Sequence, residues 1–210
     1  MRTCICVSRT YGSKGRETSE NMAERLVLPC HDRVLISEAI SKGGVDTSVF
    51  DRTRTKEADR WLYEHLYDAD AIDESGMSPQ EMFLNSTKKV IVELAKASDC
   101  VFVGRSAAQI LKDNYPECRV ISVFITATPE DRIAEIMRRW DEGEVAARRR
   151  LRKIDGLRKD CFEYYRSDEE AEKDNTWGDP ALYDACFNTS LLSKDKIADA
   201  IEAIYRKSGD

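Results

Sequence analysis

Three short apolar runs punctuate the chain: Thr3–Val7, Cys100–Val103 and Val120–Ile125. Each is unbroken rather than alternating, as in a strand buried on both faces of a parallel sheet. A weaker run lies at Ala185–Phe187, and Leu28-Pro29-Cys30-His31 has the length of a very short strand. Helical stripes fall between them: Thr18, Met22, Ala23 and Leu26; Phe83, Val90, Ile91 and Leu94; Ile197, Ile201, Ile204 and Tyr205. Strands alternating with helices predict an α/β sandwich around a parallel sheet with right-handed crossovers. Residues 43–78 and 138–176 break the alternation, being polar or highly charged and too long for plain loops. They are expected to be helical insertions, one over each end of a binding cleft.

The length, 210 residues, fits one large domain, and 41% hydrophobic with 34% charged residues is the balance of an ordinary soluble protein. A net charge of −6 argues against general nucleic-acid binding, which depends on neutralising many phosphates, but leaves room for a small phosphorylated ligand. The seven cysteines are odd in number, scattered and without a CxxC pair, and His31 and His65 are the only histidines. A disulfide framework and a zinc site are therefore not expected. No apolar run approaches the ~20 residues of a membrane span, and no signal-type segment opens the chain. The expected location is the reducing cytoplasm.

The strongest chemical signal follows the first strand: Ser8-Arg9-Thr10-Tyr11-Gly12-Ser13-Lys14-Gly15-Arg16-Glu17-Thr18. A strand, a Gly-containing turn and an amphipathic helix in immediate succession are what a phosphate cradle requires. Glycines let amides turn inward, the helix N-terminus adds its positive dipole end, and a basic side chain reaches the phosphates. The pattern departs from GxxxxGK followed by Ser or Thr. With Gly15 as the second glycine, Thr10 falls at the first, Arg16 at the lysine and Glu17 at the hydroxyl that would hold Mg²⁺, with Thr18 adjacent. A plain turn carrying two solvated basic residues is the competing reading.

These residues resemble the SRxYGSGGRE opening of the cytidylate kinase-like family. Asp99–Arg105 resembles that family's third strand ending in VGR. Ile154-Asp155-Gly156-Leu157-Arg158 followed by Tyr164-Tyr165 resembles its lid helix. Trp177-Gly178-Asp179-Pro180, Tyr183-Asp184 and Asn188-Thr189-Ser190 resemble its ending. The resemblance implies a P-loop NTPase fold of the nucleoside monophosphate kinase type. That fold has a five-stranded parallel sheet, an acceptor-binding insertion at 43–78 and an arginine-rich lid at 138–176. It implies ATP and Mg²⁺ as donor and cofactor, with the metal held largely through water, and a nucleotide plus a small phosphorylated acceptor as partners. Membranes and nucleic acids are not expected partners, and the oligomeric state is open.

Residue roles follow the same resemblance. Gly12, Ser13, Lys14, Gly15, Arg16, Glu17 and Thr18 would hold the donor phosphates, with Arg139 reaching in from the lid. Arg16 and Arg158 would neutralise the transferring group, and Asp155 would orient it or the acceptor. Asp32, after the short second strand, would position the acceptor or Mg²⁺ through water; an N-cap for a helix near Val34 is compatible with that. Arg105, directly after a buried strand, would take the acceptor phosphate with its planar fork. Asp184 would contact the acceptor. Asp155 and Arg158 also stand three apart, the spacing of a plain intrahelical ion pair. The basic run Arg148–Lys153 is either a solvated helix face or a lid waiting for an anion. Two rivals to a nucleotide kinase remain: a nucleotide-binding or anion-sensing protein with little turnover, and a metabolic kinase with a non-nucleotide acceptor.

Overall fold

The computed structural model describes residues 1–32, 79–166 and 175–206, with the side chains of 79–83 left aside. The expected insertion at 43–78, the helix start near Val34 and part of the lid, residues 167–174, lie outside the described residues. The chain divides into two compact units, one of residues 1–31 and 95–210 and one of residues 32–94.

The first unit is built on five strands: β1 (Thr3–Arg9), β2 (Cys30–His31), β3 (Cys100–Val103), β4 (Arg119–Thr126) and β5 (Ala185–Asn188). They form one sheet in the order β2-β3-β1-β4-β5, every pair parallel. The three strands read as apolar runs are the central ones, with Ile5 in register with Val101 on one side and Ile121 on the other. The described α-helices of the chain are, in order, α1 (Gly15–Leu26), α2 (Pro79–Ala97), α3 (Ala107–Asn114), α4 (Pro129–Trp140), α5 (Glu144–Tyr164) and α6 (Lys194–Arg206).

The alternation of side chains gives the sheet two unlike faces. Ile5, Val7, Val101, Val103, Ile121, Val123 and Ile125 meet Met22 and Ala23 of α1 and Ile197, Ala198 and Ile201 of α6 in one aliphatic core. The alternate positions on the central strands, Cys4, Cys6, Cys100, Phe102, Ser122 and Phe124, are buried as well. Phe124 there packs edge-on against Trp177 at 5.5 Å and beside Tyr183 at 5.0 Å. Helix α3 packs on β4. Of the two stretches that break the strand–helix alternation, the second is described as far as residue 166. Residues 138–166 are the end of α4 and the whole of α5, two helices packed on each other. Helix α4 starts at Thr128, whose hydroxyl accepts the Asp131 amide at 3.3 Å, with Pro129 in the first turn.

In the second unit the described part is Asp32 and the body of α2. Its Leu84, Thr87, Val90 and Ile91 are buried at helical spacing.

The order of the sheet decides where a ligand can sit. The crossover from β1 runs outward to β2, and the one from β3 runs the other way, past β1 to β4. Right-handed crossovers in opposite directions put their helices on opposite faces and open a crevice between the carboxyl ends of β1 and β3.

Candidate active site

The crevice is bordered first by the turn after β1. Thr10 donates its amide to Ile125 O at 3.0 Å, so the β1–β4 ladder continues one residue past the strand. The chain then turns through Gly12, at φ +81°, and Lys14, at φ +56°. A Cβ on Gly12 would stand 2.6 Å from the backbone oxygen of Arg132, so position 12 requires glycine for space as well as for conformation. Lys14 adopts the left-handed region without being glycine, at the position where the SRxYGSGGRE motif has one. Ser13, buried, donates its hydroxyl to Thr10 O at 2.8 Å, while its own carbonyl accepts Thr189 Oγ1 at 2.8 Å. The first α1 ladder bond is Thr18 N–H to Lys14 O, at 3.0 Å. The amides of residues 15–17 thus have no intrahelical acceptor and stand at the positive end of the helix dipole.

Helices α4 and α5 are tied to this turn through Tyr11. Its amide donates to Asp155 Oδ1 at 2.7 Å, its carbonyl accepts Arg132 Nε at 2.8 Å, and its hydroxyl accepts Trp140 Nε1 at 2.7 Å. Asp155 is also ion-paired with Arg132 and lies 3.9 Å from Arg158. Arg158 donates to the backbone oxygen of Arg9 at 2.8 Å and sits over the Tyr11 ring. Arg150 stacks on Trp140, 4.1 Å from its ring centre, and is bridged to Glu142 at 2.8 Å. The other members of the basic run, Arg148, Arg149, Arg152 and Lys153, are exposed. The run is therefore mixed: a solvated face with Arg150 turned inward. Burial pushes the Tyr11 hydroxyl up; the Trp140 hydrogen bond and the neighbouring arginines oppose it.

The other border is the turn after β3. Gly104, Arg105 and Ser106 all have positive φ, at 81°, 63° and 51°. Ser106 Oγ donates to the Cys161 carbonyl at 3.3 Å, fixing α5 to this turn as well. Burial pushes the Cys161 thiol up, against the pull of Arg105, Ser106 and Arg9. The Tyr165 hydroxyl is likewise raised by burial and by Cys161 and Tyr164, with Arg105 opposing. Arg105 thus stands close to the end of α5.

Other expected residues are placed differently. Arg16 turns along α1, its Nε 3.0 Å from Glu20. Glu17 is held by Arg139 at 2.6 Å, and Arg139 also reaches Glu135 at 3.1 Å. Burial alone would raise the Glu135 carboxyl, but Arg138 and Arg139 outweigh it and hold it below the usual carboxylate range. Asp184 is not brought to the crevice. It accepts the Ser122 amide at 2.7 Å and the Ser122 hydroxyl at 2.8 Å. Ser122 lies level with Cys6 in mid-sheet, three residues short of the end of β1. Asp32 follows β2 directly and is the first residue of the second unit. The side chains that sequence reasoning missed are Arg132 and Trp140, and Arg9 was quoted only as part of the motif. The same is true of Tyr11.

The donor set suits a polyphosphate: the amides of a helix start, a turn shaped by Gly12, and guanidinium groups at two borders. For Mg²⁺ the fit is poorer. The Thr18 hydroxyl is buried and donates to Lys14 O at 3.0 Å, and Glu17 is committed to Arg139. Among the described residues, no group of three His, Cys, Asp or Glu side chains could hold a metal ion.

A family model described as the cytidylate kinase-like family matches residues 4–191. The chain belongs to that family. Phosphoryl transfer with a nucleotide and a metal is the activity class of a kinase-like family, and the fold is that of the P-loop kinases. A crystal structure of an uncharacterized protein from Eubacterium ventriosum aligns with a TM-score of 0.66 at 22% identity, covering 97% of this chain and 98% of that one. Shikimate kinase from Acinetobacter baumannii in complex with shikimate aligns with a TM-score of 0.50 at 16% identity, covering 99% and 94%. No curated protein matches the chain. Among the described residues, no helix is long and apolar enough to cross a membrane.

Proposed function

We propose that this family member is an ATP-dependent kinase acting on a nucleoside monophosphate, or on a similar small acceptor that already carries a phosphate. The observation that carries the reading is the crevice at the ends of β1 and β3, with an amide-lined helix start on one border and Arg105 on the other. An oxygen of the acceptor phosphate bonds to the γ-phosphorus, the bond to the β–γ bridging oxygen breaks, and ADP leaves with the electron pair. That oxygen is ionised at neutral pH, so no base is needed. The two carboxylates beside the loop, Asp155 and Glu17, are both paired with arginine, which suits an acceptor that needs no deprotonation. In such a reaction the protein chiefly positions the substrates and neutralises charge. Loop amides hold the donor phosphates, and Arg105 takes the acceptor phosphate. ATP would bring Mg²⁺ on its own oxygens and water, given the scant protein ligands for it.

That scarcity also favours a second reading, a nucleotide-binding protein with little turnover. ADP release from ATP·Mg²⁺ against a panel of nucleoside monophosphates and small metabolites separates the two. Turnover on a phosphate-bearing acceptor is the expected result; binding of nucleotide without turnover on any acceptor supports the second reading. Given turnover, Arg105→Ala should raise the acceptor KM by about one to two orders of magnitude, the loss of a charge-assisted fork. Its ATP affinity should stay nearly intact; loss of ATP binding instead would put Arg105 on the donor phosphates.

A further inference from the structure

A phosphate-binding loop at a helix start needs a cation over the β- and γ-phosphates, and in the GxxxxGK pattern the lysine on the first helical turn supplies it. On this chain that turn carries Arg16, and its Nε lies 3.0 Å from Glu20, one turn further along α1. Another side chain is better placed. Arg9 ends β1, on the border of the crevice, and its own carbonyl is fixed by Arg158 at 2.8 Å. Its side chain crosses from one border to the other. At Gly15, the first residue of α1, an added Cβ would stand 2.8 Å from Arg9 Cβ and 3.1 Å from Arg9 Cγ. At Gly104, in the turn before Arg105, an added Cβ would fall 1.8 Å from Arg9 Nη1 and 3.0 Å from Arg9 Cζ. Two glycines, on different elements, are thus the two spaces that one arginine fills.

We propose that Arg9 is the phosphate-binding cation of this site, spanning from the donor loop to the acceptor turn and holding the phosphoryl group in transfer, in the role of the missing P-loop lysine. The proposal rests on the kinase reading above and adds the residue that serves the moving group. A guanidinium suits that role, because it stays charged at every relevant pH and its planar fork can touch two oxygens at once. Its stem passes Gly15, the first residue of α1, and its head lies at Gly104, next to Arg105. A charge there faces the phosphoryl group along its path between donor and acceptor.

The test compares Arg9→Met, which keeps the stem and removes the charge, with Arg9→Lys and Arg16→Met. Three readings are taken: kcat and KM with the best acceptor, affinity for inorganic tripolyphosphate by calorimetry, and Tm. Arg9→Met should lower kcat by about 10²–10³-fold, as removal of one preorganised donor does. Acceptor KM should stay within about threefold, tripolyphosphate affinity should fall at least about tenfold, and Tm should hardly move. Arg9→Lys should recover part of both losses, and Arg16→Met should cost less than Arg9→Met. The proposal is overturned if Arg9→Met keeps kcat and tripolyphosphate affinity within about threefold of the parent, or if Arg16→Met shows the larger losses. It is overturned too if the parent does not bind tripolyphosphate. A parent that turns over no acceptor defeats the kinase reading, yet the tripolyphosphate titration still judges Arg9. If Arg9→Met does not fold, Arg9→Gln is judged by the same readings.

Discussion

At the scale of single residues, the loop carries one conflict that the surrounding structure overrides. Lys14 sits at φ +56°, ψ +15°, and a side chain there crowds the backbone at a cost of roughly 1–2 kcal/mol. Glycine would remove that strain while making the unfolded chain looser by roughly 0.5–1 kcal/mol. Lys14→Gly should therefore be neutral to stabilising, by up to about 1.5 kcal/mol, and should raise Tm slightly. A clear fall in Tm would mean that the lysine side chain itself supports the loop. Gly12 allows no such exchange, because its Cβ would meet the Arg132 carbonyl rather than a movable side chain. Gly15 is scarcely freer, since its would-be Cβ stands 2.8 Å from Arg9 Cβ, an atom fixed to the β1 backbone. The nearest atoms to its would-be Cβ belong to the Arg9 side chain and Ser13 Oγ.

Among the elements, α5 shows most plainly what the sequence disclosed and what it withheld. The buried strands were legible because an unbroken apolar run of four to eight residues rarely survives outside a core, and β3 matches its expected bounds, Cys100–Val103. The loop was legible as strand, glycine and helix in succession. The inward arginines were not, since Arg150 and Arg149 are neighbours in one basic run and differ only in what a folded α4 presents to them. Asp184 stands just before β5, as the sequence indicates, and the acceptor role that the family resemblance implied for it is what the fold does not favour, because a residue preceding a parallel strand lies away from that strand's carboxyl end. Asp155 carries more structure than its motif suggested, because one carboxylate joins the Tyr11 amide to Arg132 and so ties α5 to the loop and α4. Asp155→Asn can still accept the Tyr11 amide but places an NH₂ group against the guanidinium. With side chains only 11% and 17% exposed, the change should cost about 1–3 kcal/mol. Hydrogen exchange should quicken in residues 144–164 and in the loop together. Faster exchange confined to α5 would show that the loop does not depend on this bridge.

Over the whole molecule, charge and sulfur are segregated by the sheet. Although the chain carries a net charge of −6, Arg9, Arg105, Arg132, Arg139, Arg150 and Arg158 gather on the side of the carboxyl strand ends, where a focused field favours an anion. Four of the seven cysteines occupy buried positions away from the aliphatic core, with Cys4 and Cys100 opposite each other in register and their sulfurs 3.7 Å apart. The Cys4 thiol is raised by its Cys100 partner and by burial; burial raises Cys6, and it pushes Cys118 up to about 12 from an ordinary 9.0. A raised folded pKa means that the native state keeps a proton that the unfolded chain gives up more readily. The stability from this preference is fully present below pH 9.0 and is lost as pH rises from there toward the folded values. The urea midpoint should accordingly hold steady up to about pH 8 and fall between about pH 9 and 11, more steeply in the parent than in Cys118→Ala. The same burial should show in reactivity, since the thiolate is the nucleophile. Iodoacetamide at pH 8 should modify exposed Cys186 first and reach Cys4, Cys6 and Cys118 only once denaturant opens the sheet. If mass mapping finds Cys4 or Cys6 alkylated as fast as Cys186 in the native protein, the central strands are not closed in the way described. The alkaline loss of stability would then have lost its cause.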